Sequence, residues 1–417
     1  MRSFGLHADA ARTSPACAAR RERGPARNCT PDLVDQAAAA DPPIVPVAGG
    51  SQRVRTSGKP RAWLSATPVH RWVRVGSSES RHVGGRMLVA VTGGTGFVGS
   101  HAVKAILDRG HQVRLLVRSP EKVDAAMRLQ GIEPDEVDVA VADLRDAAAI
   151  ADGVDGCDAI VNAASVYTFD PTRWEEMAEV NLAGMEAVIE AGIAAGLDPI
   201  VHVSSYVALL RDGELEHGVG PDEPPGDAPY GYSASKAAQE RAARRYQLDG
   251  HPVVIVHPGA VWGPRDPYLG ESQQFAKNAA KGLFTMVPPG GLMVCDVRDV
   301  AQVLAAVLDS GRGPRRYSAV GSYLPVTDIV KTASAAAGKQ RRSVAIPDGA
   351  ARAMQQGLAA LNRRGLGRSL PAEGVWLFRR RPIPDNTRTQ SDLDVTFRPP
   401  TESIHDQVRW MREVGRL

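Results

Sequence analysis

From Met87 onward this 417-residue sequence predicts a doubly wound parallel α/β sheet, followed by a smaller and looser C-terminal region. Three observations carry that expectation. Short β-favouring apolar runs alternate with stretches of helical periodicity, as strands joined by crossover helices do. The first run, Met87–Val91, is apolar throughout and too short for a helix, as a strand buried on both faces would be. It passes at once into a glycine turn and a helix, the opening half of a βαβ unit.

In Met87–Gly110 the helical period is set by Val98, Ala102, Ile106 and Leu107, and Gly110 falls where a C-cap belongs. Gly93, Gly96 and Gly99 are spaced G-x-x-G-x-x-G. That spacing lets the chain turn sharply, brings a pyrophosphate against the backbone and packs the helix close to the strand. The helix N-terminus then offers free N–H groups and its positive dipole end to the phosphates. Such a turn can also exist without a ligand, but a strand before it and a helix after it favour a dinucleotide.

Gln112–Val117 reads as the second strand and ends on Arg118. An acidic residue there would bind the adenosine ribose hydroxyls, whereas a cation accommodates a 2′-phosphate. With Arg118, Ser119, Pro120 and Lys122 in place, NADP(H) is expected in preference to NAD(H), and Ser119–Pro120 suits the start of a helix. Val137–Ala142 is the third strand and runs into Asp143 and Leu144. The carboxylate can accept from an adenine amino group or remain a solvated turn residue. A helix over Ala147–Asp152 leads to a fourth strand, Asp158–Ala164, whose end carries Asn162, Ala163 and Ala164. The alanines are small enough for a flat cofactor to lie against the backbone.

Trp174–Ala195 is a long helix with Asn181 inside it. Asn is a poor helix former, and a tolerated surface position and a specific role are equally open. Ile200–Val203 is the fifth strand and ends in Ser204 and Ser205. The loop Gly213–Pro229, rich in Gly, Pro and acids, falls where open α/β sheets place substrate-facing segments. A helix from Tyr230 carries Tyr232 and Lys236; Val253–His257 is the sixth strand and Pro258–Arg265 the loop leaving it. Beyond Glu271 the pattern loosens. Helices are expected over Ser272–Gly282, Val300–Asp309, Asp328–Gly338 and Glu402–Val414, a strand over Tyr317–Val320, and a helical, arginine-dotted insertion between Arg352 and Arg381.

Composition narrows the function classes. No run approaches the eighteen or so consecutive apolar residues of a membrane span. Cys17, Cys29, Cys157 and Cys295 lack C-x-x-C spacing, which argues against a zinc site or a disulfide scaffold and for reduced thiols in a cytoplasmic protein; no metal is expected. Residues 1–86 carry thirteen Arg and one Lys against six acidic residues, so that segment is +8 and the remainder −5. A mildly acidic folded part gives no support for nucleic-acid binding. The extension itself has no sustained periodicity and is expected to be disordered. It reads as a targeting peptide, a regulatory tail or an upstream reading of a chain that begins at Met87, the last being favoured because Met87 opens the first strand.

Tyr232 and Lys236, four apart on one helix, emerge on one face. A phenol of pKa about 10 is a poor proton donor or acceptor at neutral pH, and a nearby ammonium lowers it. Lys236 can also hydrogen-bond a ribose. A Ser205 hydroxyl at the strand end would polarise the carbonyl that Tyr232 protonates as hydride arrives from a nicotinamide. Y-x-x-x-K is common by chance; its place after a serine-ended fifth strand gives it meaning.

Taken together, TGGTGFVG (Thr92–Gly99), ADL (Ala142–Leu144), NAA (Asn162–Ala164), VNLAG (Val180–Gly184), VSS (Val203–Ser205), YSASK (Tyr232–Lys236), PGAVWGP (Pro258–Pro264) and DVRDVA (Asp296–Ala301) resemble the extended short-chain dehydrogenase/reductases, the NAD-dependent epimerase/dehydratase family. Within it the chain is most similar to dihydroflavonol reductases and hydroxysteroid dehydrogenases. The resemblance implies a Rossmann domain over 87–268 and a mainly substrate-binding region over 269–417, with elements returning to the core. It makes Ser205 the polarising hydroxyl, Tyr232 the proton donor and Lys236 the ribose ligand. Cofactor contacts fall to Gly93, Thr95, Gly96, Phe97, Val98, Gly99, Arg118, Asp143, Leu144, Asn162, Ala163, Ala164, Lys236, Pro258 and Gly259. One departure is HPGAVWGP, where nucleotide-sugar epimerases usually carry arginine, an aromatic residue and asparagine before the glycine-proline turn; His257 stands where Arg is frequent. The expected activity is reduction of a ketone or aldehyde, or oxidation of the secondary alcohol, on a small, fairly apolar molecule. An epimerase or dehydratase with no net cofactor turnover, and a cofactor-binding regulatory protein, are the alternatives; a homodimer stays open.

Overall fold

The computed structural model describes residues 85–167, 173–364 and 372–417. All but the last two residues of the expected N-terminal extension lie outside these. The chain runs β1 (Leu88–Thr92), α1 (Phe97–Asp108), β2 (Gln112–Val117), α2 (Val123–Gln130), β3 (Asp138–Val141), α3 (Ala147–Val154), β4 (Ala159–Asn162), α4 (Trp174–Ala194), β5 (Ile200–Val203), β6 (Glu216–Val219), α5 (Gly231–Leu248) and β7 (Val253–Pro258). It continues through β8 (Ala260–Trp262), α6 (Glu271–Lys281), β9 (Met286–Val287), β10 (Gly291–Asp296), α7 (Val297–Ala306), β11 (Arg315–Ala319), β12 (Ser322–Pro325) and α8 (Val326–Ala336). Then come β13 (Val344–Ala345), α9 (Asp348–Asn362), α10 (Ala372–Phe378), β14 (Arg381–Pro384), α11 (Thr387–Leu393) and α12 (Pro400–Glu413).

Seven strands pair in parallel in the order β11-β7-β5-β4-β1-β2-β3. The chain steps outward from β1 to β2 and β3, then crosses back so that β4 docks on the other side of β1. Open α/β sheets bind ligands outside the carboxyl ends of the strands at such a reversal, and here the register sets Thr92 opposite Asn162. Burial on both faces explains the unbroken apolar runs. Val89 and Val91 join a core with Val103 and Ile106 of α1 and Val300 and Leu304 of α7, while Ala90 faces a second core holding Met185 and Ile189 of α4. The edge strand β3 differs: Val139 and Val141 remain 44% and 65% exposed.

Several elements depart from the sequence expectations. The loop Gly213–Pro229 contains β6, which pairs in parallel with β14, and Pro258–Arg265 contains β8, which pairs with β10 in a small sheet completed by β12. Helix α7 starts three residues before Val300 because the Asp296 carboxylate accepts from the Arg298 N–H at 2.8 Å and caps it there. The arginine-dotted insertion forms α9 and α10, with residues 365–371 outside the described residues. Among the described residues no helix is long and apolar enough to cross a membrane. Cys157 and Cys295 are buried and free, whereas Cys17 and Cys29 lie outside the described residues. No group of His, Cys, Asp or Glu side chains among the described residues could hold a metal ion.

Candidate active site

The glycine turn sits at the reversal point. Gly93 adopts φ +69°, and a Cβ on it would lie 2.7 Å from the backbone of Ala163 and Ala164 at the end of β4. A Cβ on Gly99 would lie 2.1 Å from the Gly93 carbonyl oxygen, so only glycine allows α1 to start this close to β1. Thr92 Oγ1 donates to Asn162 Oδ1 at 2.7 Å and accepts from the Ala164 N–H at 3.3 Å, joining the two strand ends. Gly96 caps α1 without a side chain, so among the described residues the first N–H groups of the helix, from Phe97 and Val98, have no cap. Thr95 completes the turn. These N–H groups at a positive helix end and a backbone clear of side chains fit a dinucleotide pyrophosphate.

At the adenosine end, Arg118 is exposed just beyond β2 and among the described residues makes no ion pair. Asp143 is already engaged. Its carboxylate accepts from Arg145 Nε at 3.0 Å, from the Arg145 guanidinium again at 2.8 Å and from the Arg145 N–H at 3.0 Å, and these bonds hold it down at about 2. Leu144 packs against Gly184 of α4. Gly259, after Pro258, is wedged among strands: its N–H donates to Ala319 O, and a Cβ would lie 2.6 Å from Met293 O.

For Asn181 the tolerated surface position is excluded. It is buried; its side chain accepts from the Val166 N–H at 2.7 Å and donates to Val166 O at 2.8 Å, pinning the loop that leaves β4. The sequence signal was an asparagine inside a helix that gives it no local role.

Ser205, Tyr232 and Lys236 come together at the carboxyl end of β5. Ser205 is buried and opens a 3₁₀ turn, Tyr206–Leu209, its Oγ accepting from the Val207 N–H at 3.4 Å. The Tyr232 side chain hydrogen-bonds Ser205, and the Tyr167 ring meets it edge-on with centroids 4.5 Å apart. Lys236 is buried one turn further along α5, its Nζ 3.4 Å from Val203 O. The expected lowering of the phenol pKa is overturned in this geometry. Burial pushes Tyr232 up, the Ser205 bond only partly opposes it and the Glu373 charge adds to it. Burial lowers Lys236 to about 8, against the pull of Glu240.

Glu240 anchors a buried charged cluster beneath the lysine. It accepts from Ser204 Oγ at 2.7 Å and from Arg244 Nε at 2.7 Å, and His257 Nε2 lies 3.0 Å away. Burial alone would raise this carboxyl; His257, Arg244 and Ser204 together hold it well below the usual range. His202, on β5, is buried with both ring nitrogens unpartnered among the described residues, and burial lowers it to about 3. The acid four residues after Lys236 was the readable hint of this cluster; His257 belongs to it rather than to a substrate surface.

A parallel sheet reversing at a glycine-lined crevice defines a Rossmann-type dinucleotide-binding protein. The chain belongs to the NAD dependent epimerase/dehydratase family, whose model matches residues 89–319, and is an oxidoreductase of that NAD-binding family. Sterol demethylase protein B of Methylococcus capsulatus is 28% identical over 342 residues, 79% of this chain and 100% of that protein. A putative dihydroflavonol 4-reductase of Synechocystis is 26% identical over 335 residues, 78% of this chain and 94% of that protein. Among solved structures, a DesIV double mutant (dTDP-glucose 4,6-dehydratase) from Streptomyces venezuelae with NAD bound shares the fold, with a TM-score of 0.60, 22% identity and coverage of 78% of this chain and 97% of that one.

Proposed function

We propose that the protein reduces the ketone or aldehyde of a small, fairly apolar molecule, or oxidises the corresponding secondary alcohol, with NADP(H) preferred and NAD(H) accepted. The observation that carries this reading is the buried set at the end of β5, where the Tyr232 phenol bonds Ser205 with Lys236 one helical turn away. When bound, the nicotinamide supplies or accepts the hydride. The chain does the rest. The Ser205 hydroxyl polarises the carbonyl oxygen and Tyr232, protonated at neutral pH as any phenol is, gives it a proton, with the Ser205 bond opposing the upward push of burial that makes the phenol a weaker acid. Lys236, at about 8, is mostly an ammonium at neutral pH and is placed to hold a ribose hydroxyl. The exposed Arg118 supports a 2′-phosphate.

Aromatic side chains support an apolar substrate. Tyr167 faces Tyr232, and Tyr230 lies edge-on between Trp174 and Trp376. Two buried arginines of that region are committed, Arg379 to Asp348 and Arg380 to Asp212, rather than open to the diphosphate of a nucleotide sugar. The same reading puts the protein in the cytoplasm, where its buried free thiols stay reduced.

The test is net NADPH oxidation against panels of steroid, flavonoid and simple carbonyls. Tyr232→Phe should lower turnover by roughly 10²–10⁴-fold with the NADPH dissociation constant nearly unchanged. Turnover retained in that variant, or no net cofactor consumption with any carbonyl, overturns the reading.

A further inference from the structure

Helix α5, which carries Tyr232 and Lys236, lacks a cap of its own. Its N-cap residue Tyr230 makes no side-chain capping bond, and its first turn contains no acidic residue. The anion at this positive helix end comes from a distant part of the chain. Glu373 of α10 is fully buried; its Oε1 accepts from the Ser233 N–H at 2.8 Å and from Ser233 Oγ at 2.7 Å, and its Oε2 accepts from the Tyr232 N–H at 3.3 Å. One carboxylate thus satisfies the second and third N–H groups of the helix, at the residue whose side chain bonds Ser205 and its neighbour. Burial raises the Glu373 carboxyl, and its three hydrogen bonds oppose that rise.

Helix α10 is itself held against this helix start. The Ala372 N–H donates to Asn362 Oδ1 at 3.0 Å, Trp376 packs on Tyr230 and donates from Nε1 to Asp212 Oδ1 at 3.0 Å, and Gln355 of α9 donates to the Tyr230 hydroxyl at 2.9 Å. Arg379 then ties Gln355 to Asp348.

We propose that Glu373 is a positioning residue for the reaction: α10 supplies the carboxylate that caps the catalytic helix, and through it sets where the Tyr232 hydroxyl stands against Ser205 and how readily it parts with its proton. This rests on the reading of Tyr232 as the proton donor. The groups facing that phenol are Ser205 and Tyr206 from the turn after β5, Tyr167 from the loop after β4 and Glu373 from α10; Lys236 lies one turn further along its own helix. Glu373 in turn faces Tyr230, Tyr232 and Ser233.

The experiment measures kcat and KM in both directions across pH for Glu373→Gln, Glu373→Asp and Tyr232→Phe. Glu373→Gln removes the charge and the acceptor for the Tyr232 N–H. It should lower kcat for reduction about tenfold with KM and NADPH affinity little changed, because displacing the hydroxyl from its place against Ser205 outweighs the gain in phenol acidity. The pH at which alcohol oxidation is half-maximal should fall by on the order of one unit, because a like charge beside the phenol has gone. Glu373→Asp, which keeps the charge, should return that pH toward wild type. Ser233→Ala, which removes one of the three donors, should lower kcat in the same direction by about two- to threefold, and it serves if the Glu373 variants fail to fold. A Glu373→Gln enzyme with wild-type kcat and pH profile overturns the proposal, as does a loss in which kcat, KM and cofactor affinity decline together and Asp restores nothing. If Ser233→Ala alone can be studied, an unchanged kcat overturns it. Undiminished turnover by Tyr232→Phe would instead remove the reading beneath it.

Discussion

Gly99→Ala isolates the glycine turn. The new methyl would sit 2.1 Å from Gly93 O, 2.7 Å from Gly93 C and 3.0 Å from Gly94 Cα, so relief requires a shift of about 1 Å. The carbonyl cannot retreat easily, since it accepts from the Gly96 N–H at 2.9 Å and Gly93 is pressed on the end of β4. Two effects oppose each other. Alanine gains about 1 kcal/mol over glycine inside a helix, whereas overpacking costs about 1–3 kcal/mol. Stability therefore changes by no more than about 2 kcal/mol, but α1 starts in a different place and its N–H groups no longer converge on the pyrophosphate. A loss of about 1.4–2.8 kcal/mol in binding is a 10- to 100-fold rise in the NADPH dissociation constant. Fluorescence titration with NADPH reads the affinity, and thermal unfolding reads the stability. Gly357→Ala is the control: it lies exposed in α9 with nothing within 4 Å of its added methyl among the described residues, and it should gain about 0.5–1 kcal/mol without touching affinity. NADPH affinity within about twofold of wild type for Gly99→Ala would refute the account of this turn.

Arg118→Ala should weaken NADPH about tenfold or more and leave NADH unchanged, read by paired titrations; equal losses for both would show that the guanidinium does not recognise the 2′-phosphate. His202→Leu removes a buried imidazole with two unpartnered nitrogens and should gain about 1 kcal/mol at pH 7. In the wild type the folded pKa is about 3 against 6.5 for the free group, so the unfolded state takes the proton first and stability declines as pH falls from 6.5 toward 3. The leucine variant should lose that part of the acid slope in urea unfolding between pH 7 and 4. A slope equal to wild type would count against the assignment.

The Rossmann half was legible because its central strands are buried on both faces and read as unbroken apolar runs, and each helix keeps its period. Periodicity changes at Phe97, and the glycine spacing has no other geometric use as economical. The small sheet was not. β8 is three residues between glycines, and β6 and β14 pair across the chain, each too short to show a pattern. The site divides similarly. Ser205, Tyr232 and Lys236 announce themselves by position on a strand end and one helix face. The direction of the Tyr232 shift did not follow from sequence, because it depends on how far burial outweighs neighbouring charges. Glu373 was hidden among apolar residues of α10, where a lone acid on a buried face is a clue only once its partner helix is known.

Strand β11 closes the large sheet beside β7, yet β8, α6, β9, β10 and α7 intervene in the chain. A ribosome adding about 5–20 residues per second therefore leaves the outer edge of β7 without its neighbour for several seconds. During vectorial synthesis that ribbon of free amides and carbonyls is open to any other extended segment. Nonsense mutations falling between Ala260 and Arg315 would freeze the molecule in this sticky form, so its partial translation products belong with insoluble material and not with a half-sized working enzyme.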